Sequence, residues 1–153
     1  MIPTANDVIR SLAGKTLATA ESLTGGMIGS LLTAVPGASA VYKGGVICYT
    51  NEIKANVLGV PAELLETWGA VSAPVAKQMA LGVRKLMHAD LSVAVTGLAG
   101  PGGDEFGHPV GTVFVAVAHA DGAEVREWHF DGDRAEVRAQ TCRRALEMVL
   151  EYV

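Results

Sequence analysis

The sequence has few charges, few cysteines and no long apolar run, and each shortage excludes a class of protein. Only 18% of the 153 residues are charged and the formal net charge is −4, whereas a general nucleic-acid surface needs a basic excess. No apolar run reaches the roughly eighteen residues of a membrane span, so we expect no contact with membranes. The N-terminal MIPTANDVIR lacks a basic region followed by an apolar core, so we expect no signal peptide.

Cysteine and histidine are too sparse and too scattered to indicate a disulfide framework or a metal site. The two cysteines, Cys48 and Cys142, lie far apart without CxxC spacing, which favours reduced thiols in a cytoplasmic protein. The four histidines show no metal-binding spacing such as HExxH. We therefore predict that the protein holds no metal.

Apolar residues, by contrast, make up half of the chain, enough for one domain with a hydrophobic core over residues 1–153. Apolar runs of strand type alternate with amphipathic helical patterns, and an Asp121-Gly122 turn indicates a hairpin. The predicted strands are 16–20, 46–50, 91–97, 111–120 and 124–130. The pattern predicts an α/β protein, a three-layer α/β/α fold with a mixed, mainly parallel sheet and one antiparallel hairpin.

The stretch AESLTGGMIG, residues 20–29, places a serine between a predicted strand and a predicted helix. Ser22 follows the strand, and a helix is predicted to begin near Thr24, beside Gly25 and Gly26. The N–H groups of a helix N-terminus are free to bind an oxyanion or a phosphate, which suits a nucleophilic serine. The alternative is that Ser22 or Thr24 only caps the helix.

Tyr49 and Lys54 are a second pair of candidates, Lys54 for a general base and Tyr49 for the residue that assists it. Tyr49 lies near the end of the predicted strand 46–50, and Lys54 lies in the first turn of a helix predicted to be capped by Asn51. The field of a helix N-terminus and partial burial would both lower the pKa of a lysine there, as a general base requires. The alternative is a solvated lysine.

A glycine-rich loop, 97–111, follows the most apolar of the predicted strands. Gly97 and Gly100 would let the backbone approach a ligand closely, and Thr96 adds a hydroxyl where ligands of open α/β sheets bind. The loop matches neither a Walker A motif nor a good GxGxxG pattern. Its alternative role is a structural connection.

The last predicted helix, 133–152, carries two arginines near its start. At about 100° per residue, Arg138 falls roughly 60° from the centre of the apolar stripe, so it borders the core. From there it could clamp an anionic group, and Arg134 is its rival for that role. The alternative for Arg138 is a surface ion pair.

Several separated motifs resemble the CinA-type C-terminal domain family, also described as nicotinamide mononucleotide (NMN) amidohydrolases. The motifs are AESLTGG, GGVICYTNEIK, GAVSAPVA, VAVTGLAGPGG, PVGTVFVAV and FDGDRAEVRAQ, which occur in the family's order from about residue 15 to 150. The resemblance implies an α/β/α fold and hydrolysis of the carboxamide of NMN, releasing ammonia and nicotinic acid mononucleotide.

The resemblance also implies roles for individual residues. Ser22 matches the family's proposed nucleophile, Tyr49 and Lys54 match its tyrosine and lysine, and Arg138 matches its arginine better than Arg134 does. We expect Lys54, helped by Tyr49, to deprotonate Ser22 without a metal or cofactor.

Two other functions stay open from the sequence, a catalytically silent nucleotide-binding or interaction domain and an amidohydrolase of another carboxamide. Family resemblance favours a homo-oligomer without a subunit count. The hairpin around Asp121-Gly122, with Trp128 and Phe130 near its end, is expected to expose an apolar patch suited to association.

Overall fold

The computed structural model describes residues 3–153, and these fold around one five-stranded sheet. The strands are β1 (Leu17–Glu21), β2 (Tyr42–Ile47), β3 (Leu91–Gly97), β4 (Thr112–His119) and β5 (Gly122–His129). The helices are α1 (Pro3–Ser11), α2 (Met27–Thr33), α3 (Asn51–Leu58), α4 (Ala62–Trp68), α5 (Ala73–Met87) and α6 (Arg134–Leu150), with a 3-10 turn at Ala38–Ala40. None of the helices in residues 3–153 combines the length and apolar character that crossing a membrane requires.

The sheet is mixed, with the strand order β2-β1-β3-β4-β5. Strand β1 pairs in parallel with β2 and β3, while β3 with β4 and β4 with β5 pair antiparallel. Four strands therefore run in one direction and β4 opposes them. This arrangement confirms the predicted mixed, mainly parallel sheet with one antiparallel hairpin.

Helices cover both faces of the sheet and give the three predicted layers. Helices α1, α2 and α6 enclose one core, which contains Val93 and Val95 of β3. Helices α3, α4 and α5 enclose the other core, to which β3 contributes the smaller Ala94. The small side chains on this second face let α5 lie close across β1, β3 and β4.

Strand β2 differs from its prediction, since it spans 42–47 rather than 46–50. The prediction followed the β-branched and aromatic residues of 46–50, but the strand begins earlier and contains two glycines. Packing explains one of them, because a Cβ on Gly45 would lie 2.2 Å from Thr19 Oγ1. As a result, residues 48–50 form a connection, and the hydroxyl of Thr50, not Asn51, caps α3 by accepting the Ile53 N–H at 3.4 Å.

The expected apolar patch at the end of the hairpin is not exposed. The Trp128 and Phe130 rings stack with centroids 5.7 Å apart, and Phe130 is buried. The guanidinium of Arg144 covers the Trp128 ring at 4.7 Å from its centroid, which is the geometry of a cation–π contact. The apolar rings of this surface are thus covered by contacts within the chain, through aromatic stacking and the Arg144 side chain.

Candidate active site

The site lies where the parallel strands β1, β2 and β3 end, because the carboxyl ends of parallel strands meet at one edge of a sheet. A cavity of about 780 Å³ opens at this edge. Ser22 follows β1, Tyr49 follows β2 and Thr96 lies at the end of β3, and all three line the cavity. The topology therefore brings together three candidates that are far apart in the sequence.

Ser22 and Lys54 form the chemical centre of the cavity. The Lys54 ammonium donates to Ser22 Oγ over 3.0 Å and to the Cys48 carbonyl over 2.7 Å. A longer contact of 3.5 Å joins it to the Tyr49 carbonyl. Lys54 is only 1% exposed and Ser22 7%, so the pair is almost fully shielded from water.

The environment of Lys54 makes the loss of its proton easier than in water. Burial lowers the pKa of Lys54 below its ordinary 10.5, and the electrostatic effect of nearby Cys48 opposes this only in part. A neutral amine keeps two N–H donors, which the carbonyls of Cys48 and Tyr49 can accept, and its lone pair then faces Ser22 Oγ. The arrangement can therefore take a proton from the serine hydroxyl.

The Tyr49 side chain is not part of this contact. Its side chain is 60% exposed, and its hydroxyl accepts a hydrogen bond of 3.2 Å from Arg134 Nη2. Only the main-chain carbonyl of Tyr49 approaches Lys54. The expectation that the tyrosine hydroxyl assists the lysine does not match this placement, since the connection after β2 turns the ring toward α6.

The first N–H groups of α2 already have partners within the chain, whereas the sequence prediction left them free for a ligand. The Glu21 carboxylate accepts the N–H groups of Ile28 at 2.8 Å and Gly29 at 3.0 Å. It also accepts the Thr24 hydroxyl at 2.7 Å. A buried carboxylate at this position satisfies free N–H groups and the helix dipole together. The sequence reasoning missed Glu21, although an acidic residue next to the candidate nucleophile Ser22 was a visible signal.

Thr24, Gly25 and Gly26 consequently shape the turn and do not line the cavity. Thr24 is fully buried, while Gly25 and Gly26 have φ angles of 57° and 103°. Gly26 is the residue before α2, so the helix begins at Met27 and not near Thr24. Glycine is favoured at both positions because the left-handed region strains other residues.

The backbone N–H groups after Ser22, the candidate nucleophile, differ in their partners. The Ser22 N–H donates to the Val95 carbonyl at 3.1 Å, and the Gly25 N–H donates to the Ser22 carbonyl at 3.2 Å. The N–H groups of Leu23, Thr24 and Gly26 enter none of the backbone hydrogen bonds found outside helices and strands in residues 3–153, and of these three residues Leu23 lines the cavity. Leu23 lines the cavity and directly follows the serine, the position from which many hydrolases donate to an oxyanion.

The two arginines of α6 have different surroundings. Arg138 does not line the cavity, and it donates to the carbonyls of Leu23 at 2.9 Å and Thr24 at 3.2 Å. Arg134 does line the cavity and donates to the Gly100 carbonyl at 2.9 Å. The structure thus presents Arg134 to a ligand in the cavity, whereas the sequence reasoning preferred Arg138. Helical angle placed Arg138 at the core border correctly but could not identify the carbonyls that it meets.

The glycine-rich loop forms one wall of the cavity, which includes Gly97 and Gly100. A Cβ on Gly97 would lie 2.8 Å from the Thr112 carbonyl, so glycine is required by the neighbouring strand. The Thr96 hydroxyl donates to the Ala70 carbonyl at 2.8 Å and is 1% exposed, which makes it a support for the opposite wall. Among the described residues, no three His, Cys, Asp or Glu side chains gather as candidate metal ligands.

The fold and site define a three-layer α/β/α domain with a buried serine–lysine pair at the carboxyl edge of its sheet. The profile of the CinA C-terminal domain matches residues 3–153, and the chain belongs to this family.

Related sequences and structures agree with this assignment. The chain is 51% identical over 138 residues to a "Putative competence-damage inducible protein" of Acetivibrio thermocellus, covering 90% of this chain and 33% of that protein. It is 50% identical over 134 residues to a "CinA-like protein" of Geobacter metallireducens, covering 88% and 32%. The chain thus spans about a third of the length of these curated relatives.

Two crystal structures share the fold over nearly the whole chain. One is the competence damage-inducible protein A (ComA) of Klebsiella pneumoniae, with a TM-score of 0.95 and 39% identity, covering 97% of this chain and 94% of that one. The other is the competence/damage inducible protein CihA of Agrobacterium tumefaciens, with a TM-score of 0.93 and 42% identity, covering 97% and 93%.

Proposed function

We propose that this domain is a serine amidohydrolase that removes the amide nitrogen of nicotinamide mononucleotide. The observation that carries the proposal is the buried Lys54 Nζ, 3.0 Å from Ser22 Oγ in a cavity open to ligands. A buried lysine with a lowered pKa next to a serine hydroxyl is a base next to a nucleophile. The CinA-like family includes amidohydrolases, which supports this reaction class.

In the proposed mechanism, neutral Lys54 takes the proton of Ser22 as Oγ attacks the carboxamide carbon. The carbonyl oxygen becomes an oxyanion and accepts the Leu23 N–H, a contact typically worth about 3 to 4 kcal/mol in the transition state. Lys54 then returns the proton to the amide nitrogen, the C–N bond breaks and ammonia leaves. A water molecule, deprotonated by Lys54, attacks the ester and releases nicotinic acid mononucleotide with Ser22 restored.

The cavity also has features that suit the rest of this substrate. Its volume of about 780 Å³ is within the usual range of about 300 to 1,000 Å³ for small-molecule sites. Arg134 supplies a cation for the substrate phosphate, and Tyr49 supplies an exposed aromatic ring beside it. We therefore propose that Arg134, and not Arg138, contacts the phosphate.

A homo-oligomeric state in solution stays a prediction.

The decisive experiment measures ammonia release from NMN by the wild type, Ser22→Ala and Ser39→Ala. Ser39 is a matched control, because it lies in the 3-10 turn and does not line the cavity. We expect turnover to fall to background in Ser22→Ala alone, and a burst of ammonia before nicotinic acid mononucleotide release in the wild type. Full activity of Ser22→Ala would remove Ser22 from the nucleophile role.

The same assay separates the alternative functions. Nicotinamide, nicotinamide riboside and a panel of other carboxamides are compared with NMN. Stronger turnover of another amide would move the proposal to that substrate. Binding of NMN without any ammonia release would favour a nucleotide-binding domain that has the fold but not the reaction.

A further inference from the structure

We infer that Arg138 is a positioning residue that holds the backbone next to the nucleophile and does not bind the substrate. The inference rests on the proposed function, and it assigns the arginine to a different task from a phosphate clamp. Arg138 lies in the second turn of α6 and donates from Nε to the Leu23 carbonyl and from Nη2 to the Thr24 carbonyl. Both carbonyls belong to the two residues that directly follow Ser22.

The first of these bonds determines how Leu23 is oriented. The carbonyl before the Leu23 N–H is that of Ser22, which accepts the Gly25 N–H at 3.2 Å. The carbonyl after it is held by Arg138 at 2.9 Å. With both adjacent peptide groups held, the Leu23 N–H has a defined direction, as a preorganised oxyanion donor requires. Loss of the arginine would leave a buried carbonyl free to rotate toward another partner.

The charge of Arg138 is committed to this turn. Among the ion pairs found in residues 3–153, none involves Arg138. Its guanidinium instead packs against the turn, and a Cβ on Gly25 would lie 3.6 Å from Nη2. Glu21 contacts the same turn, where it accepts the Thr24 hydroxyl at 2.7 Å. An acidic and a basic side chain therefore both hold the turn that follows Ser22, through hydrogen bonds that charge strengthens.

Arg134 provides a matched comparison within the same helix. It precedes Arg138 by four residues, about one helical turn, and has the same side chain. Its guanidinium lines the cavity beside Tyr49, while that of Arg138 does not reach the cavity. A phosphate contact and a positioning contact should thus be separable by mutating one arginine at a time.

The test compares Arg138→Met, Arg138→Lys and Arg134→Met with the wild type, using NMN and nicotinamide riboside, which lacks the phosphate. For Arg138→Met we expect kcat to fall about 10- to 100-fold with both substrates, less than the loss of an oxyanion donor, and KM to change little. Arg138→Lys should recover only part of kcat. Its ammonium can still donate to one of the two carbonyls, but it lacks the planar fork with which the guanidinium contacts both. Arg134→Met should raise KM for NMN far more than for the riboside.

Two results would overturn the inference. One is a loss in Arg138→Met that appears in KM for NMN and not for the riboside, which is the behaviour of a phosphate clamp. The other is an unchanged kcat with both substrates. Thermal unfolding is measured for each variant. If Arg138→Met does not fold, the same two criteria are applied to the kcat and KM of Arg138→Lys.

A fluorophosphonate probe makes the test independent of the natural substrate. In this reaction Ser22 Oγ bonds to phosphorus, fluoride leaves, and the serine proton passes to Lys54 and then to solvent. The phosphoryl oxygen needs the oxyanion donor but no phosphate site, so we expect Arg138→Met to slow labelling about 10-fold or more and Arg134→Met to slow it little. Equal labelling rates in both variants would refute the positioning role. If the wild type labels but does not hydrolyse NMN, the proposed function fails while this comparison still decides the role of Arg138.

Discussion

Replacing Lys54 with methionine should abolish catalysis while leaving the fold nearly as stable as before. Methionine has a similar length and no charge, so it can occupy the same buried space. General base catalysis typically contributes about 10²- to 10⁴-fold to a rate, which equals about 3 to 5 kcal/mol of barrier. We expect kcat for NMN to fall by at least this factor, because Lys54 is the group that contacts Ser22 Oγ.

Two opposing terms determine the stability of Lys54→Met. The substitution leaves the buried Cys48 carbonyl without the donor that it meets at 2.7 Å, which costs about 1 to 3 kcal/mol. It also removes an amine whose charged form is penalised by burial, and replacing buried charges with apolar groups often stabilises by about 1 to 4 kcal/mol. The terms are similar in size, so the free energy of unfolding should change by less than about 2 kcal/mol.

The pH dependence of stability tests the same reasoning. Because burial lowers the pKa of Lys54 in the folded state, the unfolded chain holds more protons between that pKa and 10.5. In this window the free energy of unfolding of the wild type gains up to about 1.4 kcal/mol per pH unit from Lys54 as pH rises. Below the window Lys54 is charged in both states, and the free-energy penalty of burying the charged amine lowers the stability of the folded state in full. Lys54→Met should lack this contribution.

Chemical denaturation of both proteins at a series of pH values gives the difference directly, because the thiols and tyrosines common to both largely cancel. The wild type should gain stability relative to Lys54→Met as pH rises. In parallel, wild-type kcat/KM should rise with pH through the lowered pKa of Lys54. Wild-type kcat in Lys54→Met, or a stability difference that does not change up to pH 10.5, would refute a neutral buried lysine as the base.

Three further substitutions test the supports of the site and the fold. Gly82→Ala in α5 should destabilise by about 1 to 3 kcal/mol despite the better helix propensity of alanine, since its Cβ would lie 2.1 Å from the Leu58 carbonyl, and a raised melting temperature would contradict this. Asp133→Ala should cost about 1 kcal/mol in denaturant titrations by removing the capping box with Glu136, and Asp133→Asn should restore most of it. Glu21→Gln should lower both stability and kcat, because its amide would set an NH₂ group against an N–H of α2, and wild-type values of both would show that the carboxylate is dispensable.

The elements predicted best from the sequence are those whose residue pattern is compatible with only one type of secondary structure. The continuous apolar run 91–97 is the strand β3 with the predicted bounds, because it is covered by helices on both faces. Strand β2 was misplaced because Gly44 and Gly45 have low strand propensity, and contacts with β1 outweigh propensity there. Tertiary packing of this kind leaves no periodic signal in the sequence.

Within the site, short-range features were predictable and long-range contacts were not. A lysine in the first turn of a helix is unfavourable for a cation, and this anomaly identified Lys54 as a candidate base. The direction of a long side chain depends on how helices dock, so the partners of Arg138 and the contact of Tyr49 with Arg134 were beyond pattern reasoning. Glu21 was missed because free N–H groups were assumed at α2, although the chain supplies an acceptor of its own.

The carboxylate of Glu21 has a consequence for how this protein should respond to dissolved anions. Because Glu21 is part of the chain and already bonded to α2, its effective concentration there exceeds what a solute such as sulfate or inorganic phosphate reaches. Such ions should therefore displace Glu21 poorly at the helix terminus, whereas the exposed guanidinium of Arg134 in the cavity offers them a cation. Inhibition by simple anions should accordingly be competitive, and sensitive to substitution of that one arginine.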